Sequence, residues 1–208
     1  MELDNFIWDF DGTLFDTYHD ILKSLLQTFS EYNLTFKKDE LYRLIKKQSV
    51  GFATEYVGKV YGLSGSAILA RYHEIERVNQ QDPLPYPGTV AVLKQVQASG
   101  KQNFLYTHRD KHVFDYLAQH GLKDVFTGAV TASDDFPRKP DPSALEHIIK
   151  TYQLDLDKTV MIGDRALDVN AGKNANIHTI YFDVDQFHDD AGADMVVSDL
   201  NQIQNVFV

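Results

Sequence analysis

The sequence predicts an α/β fold, a parallel β-sheet covered by helices on both faces and interrupted by an inserted helical domain. Three observations carry this. Near the start, Phe6-Ile7-Trp8 is an apolar run of the kind that forms a strand buried on both faces of a parallel sheet. From Thr89 onward, helical patterns alternate with short apolar runs, and that alternation implies right-handed crossovers and parallel pairing. Between the two, residues 17–82 show helical periodicity and no strand signal. The simplest arrangement of such a block is an insert whose two ends return to the same place. Residues 1–15 and 86–208 are therefore expected to form the core, and residues 16–85 the helical domain.

The elements follow in order. Ile21, Leu22, Leu25, Leu26 and Phe29 recur at helical spacing, which predicts a helix from Thr17 to about Asn33. Further helices are expected over Lys38–Lys47, Phe52–Tyr61 and Ser64–Asn79. The string Pro83-Leu84-Pro85-Tyr86-Pro87-Gly88 then breaks the pattern, as a boundary should. Val90–Ala98 reads as a helix stopped by Gly100, Asn103–Thr107 as a strand, Val113–Gln119 as a helix ending at Gly121, and Phe126–Val130 as a strand. Pro142–Tyr152 reads as a helix with Asp141 as N-cap and Pro142 at its first position. Thr159–Ile162 is a strand, Ala166–Asn174 a helix, and Ile177–Phe182 and Met195–Val197 the last strands. A short helix over about 200–206 closes the chain.

Composition narrows the partners. A formal net charge of -10 argues against a nucleic acid, whose phosphate backbone needs a basic face. It leaves room for a small anion, because a local group of cations overcomes the global sign. The absence of cysteine excludes disulfides, zinc–thiolate sites and thiol nucleophiles. No basic-then-apolar leader and no apolar run of bilayer length is visible, so the expectation is a cytoplasmic protein with no membrane partner. Apart from His108 the histidines are expected at the surface, and none of those others is paired at zinc-ligand spacing. The acid-rich segment Asp183 to Asp194 is expected to be a solvated loop.

The chemistry is expected just beyond the carboxyl ends of the strands, where open parallel sheets bind ligands. Asp9 and Asp11 follow the first strand two residues apart, so their side chains can share a side. Gly12 comes where the chain must turn sharply. Two such acids repel unless a cation lies between them, and Mg2+ prefers oxygen ligands. One acid could then act as a nucleophile and the other as an acid and base. The alternative is an Asp-Gly turn without function. Three later segments argue against that. Thr107-His108-Arg109 follows the second strand, Arg138-Lys139-Pro140-Asp141-Pro142 precedes a helix, and Gly163-Asp164-Arg165-Ala166-Leu167-Asp168 follows another strand.

The string Asp9-Phe10-Asp11-Gly12-Thr13 resembles the first motif, DxDGT, of the haloacid dehalogenase-like hydrolase superfamily. Dehalogenating members lack the second Asp and the Gly-Thr, so this form resembles the phosphate-handling branch. Thr107 matches the Ser/Thr of the second motif, Lys139 in its Lys-Pro-Asp-Pro setting resembles the third, and Gly163 to Asp168 match the fourth, GDxxxD. The insert after the first strand is similar to the helical cap of the subfamily that includes phosphoglycolate phosphatase and β-phosphoglucomutase. The resemblance covers nearly the whole chain and implies a Rossmann-like core.

It also implies roles. Asp9 would attack phosphorus, and Asp11 would protonate the leaving oxygen and later activate water. Lys139 would offset the charge on Asp9 and the phosphoryl group, with Thr107 binding phosphate oxygens. Mg2+ would be held by Asp9, by Asp11 through its main-chain carbonyl, and by Asp164, with Asp168 binding the metal or orienting its water. His108 stands where relatives often carry Asn. Either it or Arg109 could add positive charge near the phosphate, or simply face solvent. Arg165 replaces a frequent Ser or Thr. The cap would select the leaving group, with Lys46, Lys47 and the turn Gln48-Ser49-Val50-Gly51-Phe52 as candidates. The expectation is thus a Mg2+-dependent phosphatase for a small phosphorylated metabolite, acting as a monomer or homodimer. A phosphosugar mutase shares every one of these motifs. A phosphonatase would need a Schiff-base lysine in the cap. A receiver-type phospho-switch would place its acceptor Asp on a middle strand and carry no helical insert. A non-catalytic phosphate-ligand-binding protein would be expected to have lost some of the charged positions.

Overall fold

The computed structural model describes residues 2–206. The chain divides into two compact units, residues 1–16 with 84–208, and residues 17–83.

The first unit is built on a six-stranded sheet. Its strands are β1 (Asn5–Trp8), β2 (Gln102–Tyr106), β3 (Phe126–Val130), β4 (Thr159–Gly163), β5 (His178–Phe182) and β6 (Met195–Val197). They lie in the order β3-β2-β1-β4-β5-β6, and every pairing is parallel. This is the doubly wound order, which reverses direction at β1 and β4 and opens a crevice at their carboxyl ends. Burial of β1 on both faces explains its apolar run. Phe6 and Trp8 pack with α5 (Thr89–Ala98), α6 (Val113–Gln119) and the closing segment at Leu200 and Ile203. Ile7, on the opposite face, packs with α7 (Ser143–Tyr152) and α8 (Ala166–Asn174). The alternation of neighbouring side chains along a strand therefore builds both cores at once.

One buried polar side chain ties the first of these layers together. Asn103 accepts a hydrogen bond from Trp8 Nε1 at 2.9 Å. Its amide donates to the carbonyls of Leu93 (2.9 Å) and Val125 (3.2 Å), so α5 and the approach to β3 are both fastened to β2. Such a group would be costly in an apolar layer if it were left unpaired.

The chain leaves and rejoins this unit at one place. Asp16 N–H donates to Leu84 O and Tyr86 N–H to Leu14 O, both at 2.9 Å. The second unit comprises α1 (Tyr18–Glu31), α2 (Lys38–Lys47), α3 (Val50–Tyr61) and α4 (Gly65–Asn79). It has its own core, in which Leu25, Phe29, Ile45, Ala53 and Ile68 are buried. Among the described residues, no helix is long and apolar enough to cross a membrane.

Several boundaries differ from expectation for local reasons. Helix α3 begins at Val50, because Ser49 accepts the N–H of Phe52 at 3.0 Å and caps it. Val50, Gly51 and Phe52 are thus the first turn of a helix rather than an open loop. Lys46 is buried with its ammonium 4.2 Å from the centre of the Tyr18 ring, so it is not a solvated lysine. Helix α7 starts one residue later than expected. Pro142 is its N-cap, while Asp141 accepts from the backbone N–H (2.9 Å) and hydroxyl (2.5 Å) of Ser143. The closing segment Leu200–Val206 is a 3-10 helix. In the acidic loop, Asp183 is buried and accepts the N–H groups of Phe187 and His188, so it organises the loop instead of facing solvent.

Candidate active site

The central strands end where the acids begin. Asp9 follows β1, and its N–H donates to Ile162 O at 2.9 Å, which holds it against β4. Its side chain is buried. Lys139, also buried, reaches Asp9 Oδ1 at 2.6 Å, Asp168 Oδ1 at 2.8 Å and the carbonyl of Tyr106 at 3.0 Å. The Tyr106 ring lies 4.4 Å from the same ammonium. Asp164 follows β4 and accepts a hydrogen bond from Thr13 Oγ1 at 3.0 Å. Asp168 reaches back to the start of α8, where its Oδ2 accepts the N–H of Arg165 at 3.1 Å.

The GDxxxD spacing now has a steric reason. A Cβ on Gly163 would stand 2.2 Å from Asp168 Cβ, so only glycine lets the helix turn bring Asp168 against the end of β4. Gly12 has φ +79, the left-handed conformation needed for the turn after Asp11.

Asp9, Asp164 and Asp168 each offer an oxygen, and those oxygens all lie within 4.8 Å of one another. Asp9 Oδ2 is buried without a hydrogen-bond partner. Burial, opposed by Lys139 and reinforced by Asp168 and Asp164, pushes the Asp9 carboxyl up to about 7. Burial alone would lower the Lys139 pKa, but Asp168 and Asp9 outweigh it and hold the value above that of a free lysine. Buried acids with one unpartnered oxygen form a hard-donor set that suits a divalent cation such as Mg2+.

The remaining expected residues take different places. The Asp11 side chain stands outside the acid group and is bound by Arg109, whose Nε lies 2.7 and 2.9 Å and whose Nη2 lies 2.7 Å from its oxygens. Thr107 is buried one residue beyond β2, and its hydroxyl accepts the N–H of Arg109 at 3.1 Å. His108 Nε2 accepts the N–H of Lys139 at 3.1 Å. That bond places the ring proton on Nδ1. Burial first, then the charges of Lys139, Arg138 and Arg165, depress its pKa to about 2. His108 is therefore neutral, and the expectation that it adds positive charge is corrected. Sequence reasoning missed two partners. Thr13 could have been found, since it ends the DxDGT string. The Tyr106 carbonyl gives no sequence signal at all.

Fold and site together define an α/β enzyme with an acid-lined centre at the switch point of its sheet. The profile of the haloacid dehalogenase-like hydrolases matches residues 6–182, and the chain belongs to that family. It is 28% identical over 188 residues to a phosphoglycolate phosphatase of Psychrobacter arcticus, covering 84% of this chain and 80% of that protein. It is 27% identical over 187 residues to the pyrophosphatase PpaX of Halalkalibacterium halodurans, covering 86% and 83%. A hydrolase structure from Streptococcus pneumoniae superposes over 100% of both chains with a TM-score of 0.67 and 28% identity.

Proposed function

We propose that this hydrolase is a Mg2+-dependent phosphatase, cleaving the phosphoric monoester of a small metabolite through an aspartyl-phosphate on Asp9. The observation that carries this is the state of Asp9, with one oxygen fixed by Lys139 and the other buried without a partner. Asp9, Asp164 and Asp168, with the Asp11 main-chain carbonyl, would hold Mg2+. When bound, that ion supplies the positive charge that keeps Asp9 ionised and offsets charge on the phosphoryl oxygens.

The chain's own groups do the rest. The free oxygen of Asp9 attacks phosphorus in line while Lys139 holds the other oxygen still. Asp11 acts as the general acid towards the leaving ester oxygen as the P–O bond breaks. The resulting carboxylate then takes a proton from the water that attacks the aspartyl-phosphate, releasing phosphate and restoring Asp9. Thr107 binds a phosphoryl oxygen in this scheme. His108, being neutral, acts by fixing the main chain of Lys139. The relatives' names make phosphoglycolate and pyrophosphate the first substrates to try.

Phosphate release from a panel of small phosphoesters, with Mg2+ and with chelator, tests the scheme. Release is expected only with Mg2+, and Asp9→Asn is expected to lower it by about a thousandfold or more. Release that persists in Asp9→Asn would remove Asp9 as the nucleophile.

A further inference from the structure

Helix α3 of the second unit is apolar on two opposite sides, and only one of them is covered. Ala53, Thr54, Val57 and Gly58 turn inward and are buried. On the other side Phe52, Tyr56 and Val60 recur every fourth residue, which aligns them in one stripe along the helix. The rings of Phe52 and Tyr56 lie parallel, inclined by 6° with their centres 6.3 Å apart. Phe52 is 46% exposed, Tyr56 55% and Val60 57%. Among the described residues, half of the large apolar side chains left exposed fall between positions 52 and 63, and the others are spread over the rest of the chain. Single exposed apolar residues are ordinary, whereas a contiguous stripe marks a contact surface. A helix that is apolar all round belongs in an interior.

The charges beside the stripe define what fits it. The whole chain carries a formal charge of -10, so two copies repel across most of their surface. From Gln48 to Ser64 the only charged residues are Glu55 and Lys59, and their charges cancel. Both are exposed, and among the described residues neither forms an ion pair. They stand one turn apart on the same flank of the stripe. A two-fold axis perpendicular to the plane of two such helices runs them antiparallel and brings like flanks together. With Tyr56 near that axis, Glu55 of each copy meets Lys59 of the other, and Phe52 meets Val60. A parallel pairing would bring opposite flanks together and leave both charges without partners. The stripe is therefore complementary to itself in one orientation.

We infer that α3 is the docking surface for a second copy of this chain, packed antiparallel about a two-fold axis near Tyr56. The contact is small. A helix of 12 residues, about 18 Å long and roughly 10 Å wide, falls short of the roughly 800 Å2 per partner typical of stable complexes. The pair is therefore in reversible equilibrium with single chains, and its population depends on protein concentration.

Sedimentation velocity of the full chain across about a hundredfold range of concentration tests this. The average mass is expected to rise from that of one chain toward that of two. Tyr56→Glu places two carboxylates at the axis and is expected to leave single chains throughout. Its circular dichroism and melting temperature are expected to stay those of the parent, because position 56 is exposed.

Charge reversal supplies a sharper arm. Glu55→Lys alone and Lys59→Glu alone each set like charges against like, and each is expected to weaken association about tenfold. Mixed in equal amounts, the two variants restore opposite charges at both contacts, and association is expected to return. No effect within a single helix produces that recovery, since each chain keeps its own substitution. A parent that stays monomeric at every concentration overturns the inference and leaves the stripe to the substrate or to a different protein. A dimer that survives Tyr56→Glu overturns it too, as does a mixture that associates no better than its separate variants.

Discussion

His108 shows how the charge of a single side chain is decided by what surrounds it. It lies next to Thr107, but its Nε2 is committed to the N–H of Lys139, and the charged groups that act on it are all cations. A linkage effect follows. In the unfolded chain this imidazole takes up a proton near pH 6.5, whereas in the folded protein it does so only near 2. Below pH 6.5 the unfolded state therefore binds more protons, and folding stability falls as pH falls. His108→Gln keeps an acceptor for Lys139 N–H and removes the titration. Relative to that variant, the original protein is expected to lose about 1.4 kcal/mol per pH unit between roughly pH 6.5 and 5. Urea midpoints at pH 7.5, 6.0 and 5.0 measure this, and parallel curves for the two proteins would refute it.

Helix α8 is the element that assembles the site. Its first turn brings Asp168 back over Gly163, so that one carboxylate both receives the N–H of Arg165 and holds Lys139. The glycine is essential to that approach because the obstructing atom is a Cβ, which cannot rotate away. Gly163→Ala is expected to push α8 off the end of β4, costing about 1–3 kcal/mol of stability and separating the acids from Lys139. The check is a lower urea midpoint together with a reduced Mg2+-induced rise in melting temperature. A variant as stable and as responsive to Mg2+ as the parent would show that the helix shifts without consequence.

At the scale of the whole molecule, the helical block is an excursion from a complete α/β unit. The chain departs at Asp16 and returns at Leu84, joined there by a hydrogen bond of 2.9 Å, and each unit has its own core. Replacing residues 17–83 with a short Gly-Ser linker is therefore expected to leave a protein that unfolds in one cooperative transition. A broad, non-cooperative melt would show that the sheet unit depends on the helices it carries.

Local pattern determined much of this protein. The apolar run before Asp9, the alternation after Thr89 and the helical spacing over residues 17–82 are read within a few residues of themselves, and they fix the α/β class, the insert and the acids at the strand ends. Partnership is a different kind of fact. That Arg109 would take the carboxylate of Asp11 from 98 residues away, that Lys139 would bridge Asp9 and Asp168, and that Asp183 and Lys46 would be buried were decided only in the folded chain. Charge and hydrogen-bond pairing depend on distances in space, and a one-dimensional string with a single charged letter at each position does not contain those distances until the sheet brings its strand ends together.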